Sequence, residues 1–102
     1  MKISFNGLTP VAAIDALKDH LSGRKLGSIV KFELSKDTLT VVISKLGTSK
    51  LFFEVDQSGN DTKFDLSSEK IAFSHRALKD GVIEKLEKVI IDTGGKVVEK
   101  YK

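Results

Sequence analysis

The sequence predicts an α+β protein: a two-layer sandwich in which an antiparallel meander sheet packs one face against an N-terminal strand-helix unit and a C-terminal amphipathic helix. Three observations carry that prediction. First, Val30-Phe32-Leu34, Leu39-Val41-Ile43 and Leu51-Phe53-Val55 alternate with polar residues, each run closed by a turn-forming cluster. Alternate residues of a strand point to one side, so Lys31, Glu33, Thr40, Ser44, Lys50 and Glu54 fall on the other. Second, apolar residues recur at helical spacing after Thr9-Pro10; third, they do so again before Thr93-Gly94. The expected order is β-α-β-β-β-β-α, with room for one extra short strand.

Lys2 to Asn6 alternates, with Ile3 and Phe5 on one side, and is stopped by Asn6-Gly7. Thr9 is placed to cap a helix, and Pro10 suits the first helical position because its missing N–H would be unpaired there anyway. Val11, Ile14, Leu17 and Leu21 then form the apolar stripe, with Ala13 alongside, and Gly23 ends the helix near residue 22. In the meander, a two-residue Lys36-Asp37 turn pairs Leu34 with Leu39, Phe32 with Val41 and Val30 with Ile43. A two-residue Gly47-Thr48 turn would put Val41 and Ile43 on the wrong face, so an odd loop or bulge is expected between Leu46 and Ser49. A turn within Asp56 to Asp61 is expected to pair Val55 with Thr62, Phe53 with Phe64 and Leu51 with Leu66, setting Glu54 against Lys63 on the wet face.

Beyond Leu66, Ile71 and Phe73 allow a last short strand, or Ser68 could cap one long helix carrying Ile71, Leu78, Val82, Leu86 and Val89, against which Gly81 favours a break. A helix is expected from about Ala77 to Asp92, with Leu78, Val82, Leu86, Val89 and Ile90 inward and Glu84-Lys88 as an outward pair. One domain is expected over residues 1–95, followed by a frayed tail over 96–102.

Composition narrows the functional classes. The 102 residues contain no cysteine, which rules out disulfides and thiolate metal sites. No run approaches a membrane span and no signal-peptide core opens the chain, so a cytoplasmic location is expected. The net charge of +3 is uneven: residues 1–51 hold eight basic and four acidic groups, residues 52–102 nine and ten. The excess lies around Arg24, Lys25, Lys31, Lys36, Lys45 and Lys50, but Glu33 and Asp37 interrupt it, which argues against a nucleic-acid binder.

The chain offers no catalytic constellation. Val89-Ile90-Ile91-Asp92-Thr93-Gly94 is similar to the Asp-Thr-Gly signature of aspartic proteases, yet only Gly95 to Lys102 follow it; Asp92 fits the last turn of a helix with a glycine cap. His20 is suited to a helix C-terminus, and neither it nor His75 has metal-ligand spacing. Ser74 beside His75-Arg76 lacks a third group that would complete a nucleophile-base pair. Gly94-Gly95-Lys96 is punctuation, not a phosphate loop. No catalytic, cofactor-binding or metal residue is therefore assigned, and no cofactor is expected.

Two apolar sets remain. Val42 and Phe52, with Ile29, are apolar where alternation asks for polar groups, a candidate contact patch for a second copy, another protein or a granule surface. Phe32, Phe53, Phe64 and Val82 are the candidate lining of an apolar-ligand cavity between the sheet and the last helix.

Asp37-Thr38-Leu39, Leu46-Gly47, Phe64-Asp65-Leu66 and Lys79-Asp80-Gly81-Val82-Ile83-Glu84, in this order of elements, resemble the small polyhydroxyalkanoate system proteins over about Ile3 to Ile90. The stretch from Ser67 to Ser74 and the tail depart from that pattern. The resemblance implies a non-enzymatic accessory or binding module associated with polyester granules, and carries over no catalytic residue. The alternative expectation is a small apolar-ligand carrier with a helix-grip-like cavity.

Overall fold

The computed structural model describes residues 1–45, 47–72 and 79–99. Strand β1 (Lys2–Phe5) is followed by helix α1 (Pro10–Leu21), the short helix α2 (Lys25–Ile29), strands β2 (Val30–Leu34), β3 (Thr38–Ser44), β4 (Thr48–Ser58) and β5 (Asp61–Lys70), helix α3 (Lys79–Asp92) and strand β6 (Lys96–Glu99). The strands form one sheet in the order β2-β3-β4-β5-β1-β6, every neighbouring pair antiparallel. Residues from α1, α3 and alternate strand positions share a single buried core, so both long helices cover the same sheet face. This is the expected α+β two-layer sandwich.

The helix ends follow their local chemistry. The Thr9 side chain accepts a hydrogen bond from the Ala12 N–H, and Pro10 opens α1. Ala13, Ile14, Leu17 and Leu21 form the buried stripe, whereas Val11 is 60% exposed, a correction to the predicted face. At 3.6 residues per turn position 11 shares the face of Asp15 and Lys18, both exposed. At the end of α3, Gly95 N–H reaches Ile90 O and Gly94 N–H reaches Ile91 O, with Gly94 at φ 95°. That double closure satisfies carbonyls the helix would leave open, and its left-handed residue favours glycine. Asp92 is thus a residue of a capped helix end. On α3, Leu86, Val89 and Ile90 are buried and Val82 half-buried, as expected; Ile83 is buried as well. Ala77 and Leu78, at the expected start of this helix, and Phe73, in the expected short strand, lie outside the described residues.

The β2–β3 register is the predicted one, with Val30 opposite Ile43, Phe32 opposite Val41 and Leu34 opposite Leu39. The β3–β4 connection is odd, as parity required, since Ser44 pairs Thr48 and keeps Val41 opposite Leu51. The β4–β5 pairing differs. Ser58 lies opposite Asp61 across a tight Gly59-Asn60 turn, so Val55 faces Phe64, Phe53 faces Leu66, and Glu54 faces Asp65 in place of Lys63. The tight turn brings Asp56 to Ser58 into the ladder and satisfies more backbone groups than the six-residue loop the sequence suggested. The shift is by two residues, so every core side chain keeps its face.

Strand β5 runs on to Lys70, past the predicted end at Leu66, because a bulge between Phe52 and Phe53 lets the pairing continue. Ser67 is the additional residue, and its hydroxyl donates to the Phe52 carbonyl at 3.1 Å. Residues 96–99 are likewise not a frayed tail: they form β6, with Val97 opposite Ile3 and half-buried against the core, while residues 100–102 of the expected tail lie outside the described residues. The reversal at Gly94-Gly95 returns the chain to the free edge of β1, and the domain includes this strand.

The core is closed by Phe5, Leu51, Phe53 and Phe64, each at most 1% exposed. Phe5 and Phe64 meet edge to face with ring centroids 6.2 Å apart. Thr62, fully buried beside them, donates from Oγ1 to the Leu8 carbonyl at 2.7 Å and ties the β1–α1 loop to β5. Thr62→Val keeps the shape but leaves that carbonyl unpaired. It is expected to cost about 1–2 kcal/mol, read as a lowered urea midpoint at unchanged slope.

Candidate interaction face

With both long helices on one side, the other side of the sheet is left uncovered by them. Its residues line up in rows set by the register. One row runs Lys31, Val42, Lys50, Lys70 across β2 to β5. The next runs Glu33, Thr40, Phe52, Ser68, and a third runs Thr38, Glu54, Asp65, Lys2.

The first row is cationic throughout apart from Val42. Lys50 and Lys70 stand directly opposite each other, an arrangement that costs about 0.2–1 kcal/mol relative to a neutral pair. The third row brings Glu54 against Asp65, but there Lys2 flanks Asp65 on its other side. The open face therefore has a positive end interrupted by Val42, a middle row in which Phe52 is the apolar member, and a mixed end.

Val42 and Phe52 come together on this face as diagonal neighbours, because Val42 is opposite Lys50 and Phe52 is two residues further along β4. Val42 is 9% exposed and Phe52 is half-buried. Ile29 is not with them. It is the last residue of α2, packs against the core, and lines a groove with Leu26, Val82, Lys25, Lys45 and Lys85 between α2 and α3. The short helix explains the separation: residues 25–29 leave the strand's period just before β2 begins.

The second set lies in and against the core. Phe53 and Phe64 are fully buried, Phe32 is 7% exposed, and all three belong to the continuous core. Val82 packs half-buried against that core and also lines the α2–α3 groove that holds Ile29. A different groove, about 640 Å³, lies between the end of α1, α2 and β2 and is lined by Lys18, Arg24 and Lys31 together with Ser22, Ser28 and Glu33. Sequence reasoning missed both grooves because it missed α2, whose Gly27 and Ser28 look like loop residues.

His20 faces the end of α3, with Nε2 3.9 Å from Asp92 Oδ2. This long contact links the C-termini of α1 and α3. Ser74, His75 and Arg76 lie outside the described residues. Among the described residues no group of three or more His, Asp or Glu side chains is gathered as a metal site, and no helix is long and apolar enough to cross a membrane.

No family model matches this chain, and no solved structure matches it. Nipped-B protein of Drosophila melanogaster is 31% identical to it over 80 residues, which is 78% of this chain and 4% of Nipped-B. The chain spans so small a part of that protein that the likeness is one of sequence over a segment, without a family or an activity attached.

Proposed function

We propose that this chain is a small non-enzymatic binding or accessory module that acts through the open face of its sheet, with Phe52 and Val42 at the centre of the contact. The observation that supports this reading is their adjacency: half-buried Phe52 and the 9%-exposed Val42 are diagonal neighbours on the face the two long helices leave uncovered, Val42 within the row of lysines and Phe52 in the row between it and the mixed one. Apolar groups framed by charge suit a contact whose centre is dry and whose rim is wet. The resemblance to the polyhydroxyalkanoate system proteins supplies the partner in this reading, an apolar polyester-granule surface in the cytoplasm. The carrier alternative has less support, since Phe53 and Phe64 fill the core with their own packing.

The test is cosedimentation with amorphous polyhydroxyalkanoate granules. The unmodified protein is expected to pellet with the granules, and Phe52→Glu to stay in the supernatant with an unchanged far-ultraviolet circular dichroism spectrum. Equal pelleting of the two proteins would remove this face from consideration, and an apolar small molecule released on denaturation would revive the carrier.

A further inference from the structure

We propose that two copies of this chain pair through their β2 strands, antiparallel and centred on Phe32, to continue one sheet into the next. This contact uses the sheet edge and is independent of the Phe52 face.

The sheet has two edges, β2 and β6. Strand β6 is four residues long, and its pairing with β1 is broken by a bulge, a device that spoils an edge for further pairing. Strand β2 is five residues long and pairs with β3 without any register shift. Its outward backbone groups follow from the turn. Ser35 N–H donates to Thr38 O at 2.9 Å, so Ser35 and Thr38 are a hydrogen-bonded pair. Bonded and non-bonded pairs alternate, so Glu33 and Lys31 spend their backbone groups on β3, while Phe32 and Leu34 aim theirs away from it. Val30 gives its N–H to Leu26 O and presents its carbonyl at the edge. The groove between α1, α2 and β2 leaves this edge approachable from the helix side.

The sequence of the edge, Val30-Lys31-Phe32-Glu33-Leu34, is complementary to itself. Turned antiparallel about Phe32, it sets Phe32 against Phe32, Lys31 of each copy against Glu33 of the other, and Val30 against Leu34. The two Phe32 residues exchange both backbone bonds, and each Val30 carbonyl receives a Leu34 N–H, the groups the fold leaves at the edge. On the open face Lys31 and Glu33, both exposed, become ion pairs. On the helix face the half-buried Leu34 is covered by Val30 of the other copy. The cationic row also gains the acid it lacks, since Glu33 of the second copy extends the line of Lys31, Lys50 and Lys70. A twofold contact must be self-complementary in this sense.

The experiment is sedimentation velocity over a concentration series with the unmodified chain, Lys31→Glu, Glu33→Lys, the double variant carrying both, and Phe52→Glu. The unmodified chain is expected to show a concentration-dependent monomer–dimer equilibrium. Each single variant places like charges across the twofold axis and should weaken the dimer about tenfold or more, because two pairs are reversed at once. The double variant should restore it, and an equimolar mixture of the two single variants should form a mixed dimer, because each supplies the charge the other needs. Rescue and mixing also exclude misfolding as the cause. A monomer at every concentration would overturn the proposal and leave the edge to a strand from another protein. A dimer indifferent to all the charge changes would overturn it as well, and loss on Phe52→Glu alone would move the contact to the sheet face.

Discussion

Phe53→Ala is expected to destabilise the protein by about 3–5 kcal/mol, a large part of the roughly 5–15 kcal/mol that holds a domain together. Phe53 has no exposed surface, and it lies on β4 between Leu39 of β3 and Leu66 of β5. Truncation opens a void at the middle of the sheet, where strands paired on both sides have little freedom to close in. For a chain of this size the thermal midpoint should fall by about 15 °C or more. Phe52→Ala, one residue away on the half-buried open face, should cost much less. Thermal unfolding of the two variants side by side checks the assignment of faces, and equal losses would contradict it.

Gly27→Ala is expected to have the second largest effect, about 3 kcal/mol, at the upper end of what overpacking costs. A Cβ built at Gly27 collides with the carbonyl oxygen of Leu21 and lies 3.0 Å from the Leu21 carbonyl carbon. These are backbone atoms at the end of α1, and Leu21 is itself only 3% exposed, so no side-chain rotation relieves the clash. α2 must move away from α1, and the start of β2 moves with it. Gly81→Ala should have the opposite sign. An added Cβ there meets nothing within 4 Å, and the residue is exposed within α3. Removing the conformational freedom of a helical glycine should stabilise by about 0.5–1 kcal/mol. Urea unfolding of both variants reads the two signs in one experiment.

Much of the architecture was legible because it rests on short-range pattern. The alternation at Val30-Phe32-Leu34 and Leu39-Val41-Ile43 reports which side chains leave water, and the Lys36-Asp37 turn then admits one register that keeps them on one face. Thr9-Pro10 announces its cap through an acceptor and a fixed φ, and Gly94-Gly95 through its N–H donors and a left-handed φ, all belonging to those residues. Where the pattern was thin, the expectations failed. Lys25 to Ile29 is too short to show a helical period, so α2 went unseen and Ile29 was grouped with a patch it does not join. Lys96 to Glu99 is too short to stand as a strand without β1 beside it.

The candidate site was legible to a lesser degree. Val42 and Phe52 stand out in the sequence because each breaks an alternation, and the register does make them neighbours. The charged frame around them could not be read, since Lys31, Lys50 and Lys70 are remote in the chain and align only through three strand pairings and the β5 extension beyond a bulge. The local pairing of Lys31 with Glu33 and of Lys36 with Asp37 suggested cancellation, whereas the folded sheet sets Lys50 directly opposite Lys70.

The sequence by itself determined the class of fold, the inward faces of the central strands, both ends of α1 and the C-terminal end of α3, because burial and capping act over a few residues. The tertiary structure alone decided the β4–β5 register, the docking of β6 and the division of the open face into charged rows. Those features depend on contacts between distant segments, and the balance of turn geometry, ladder bonds and packing that selects among them exists only once the strands are together.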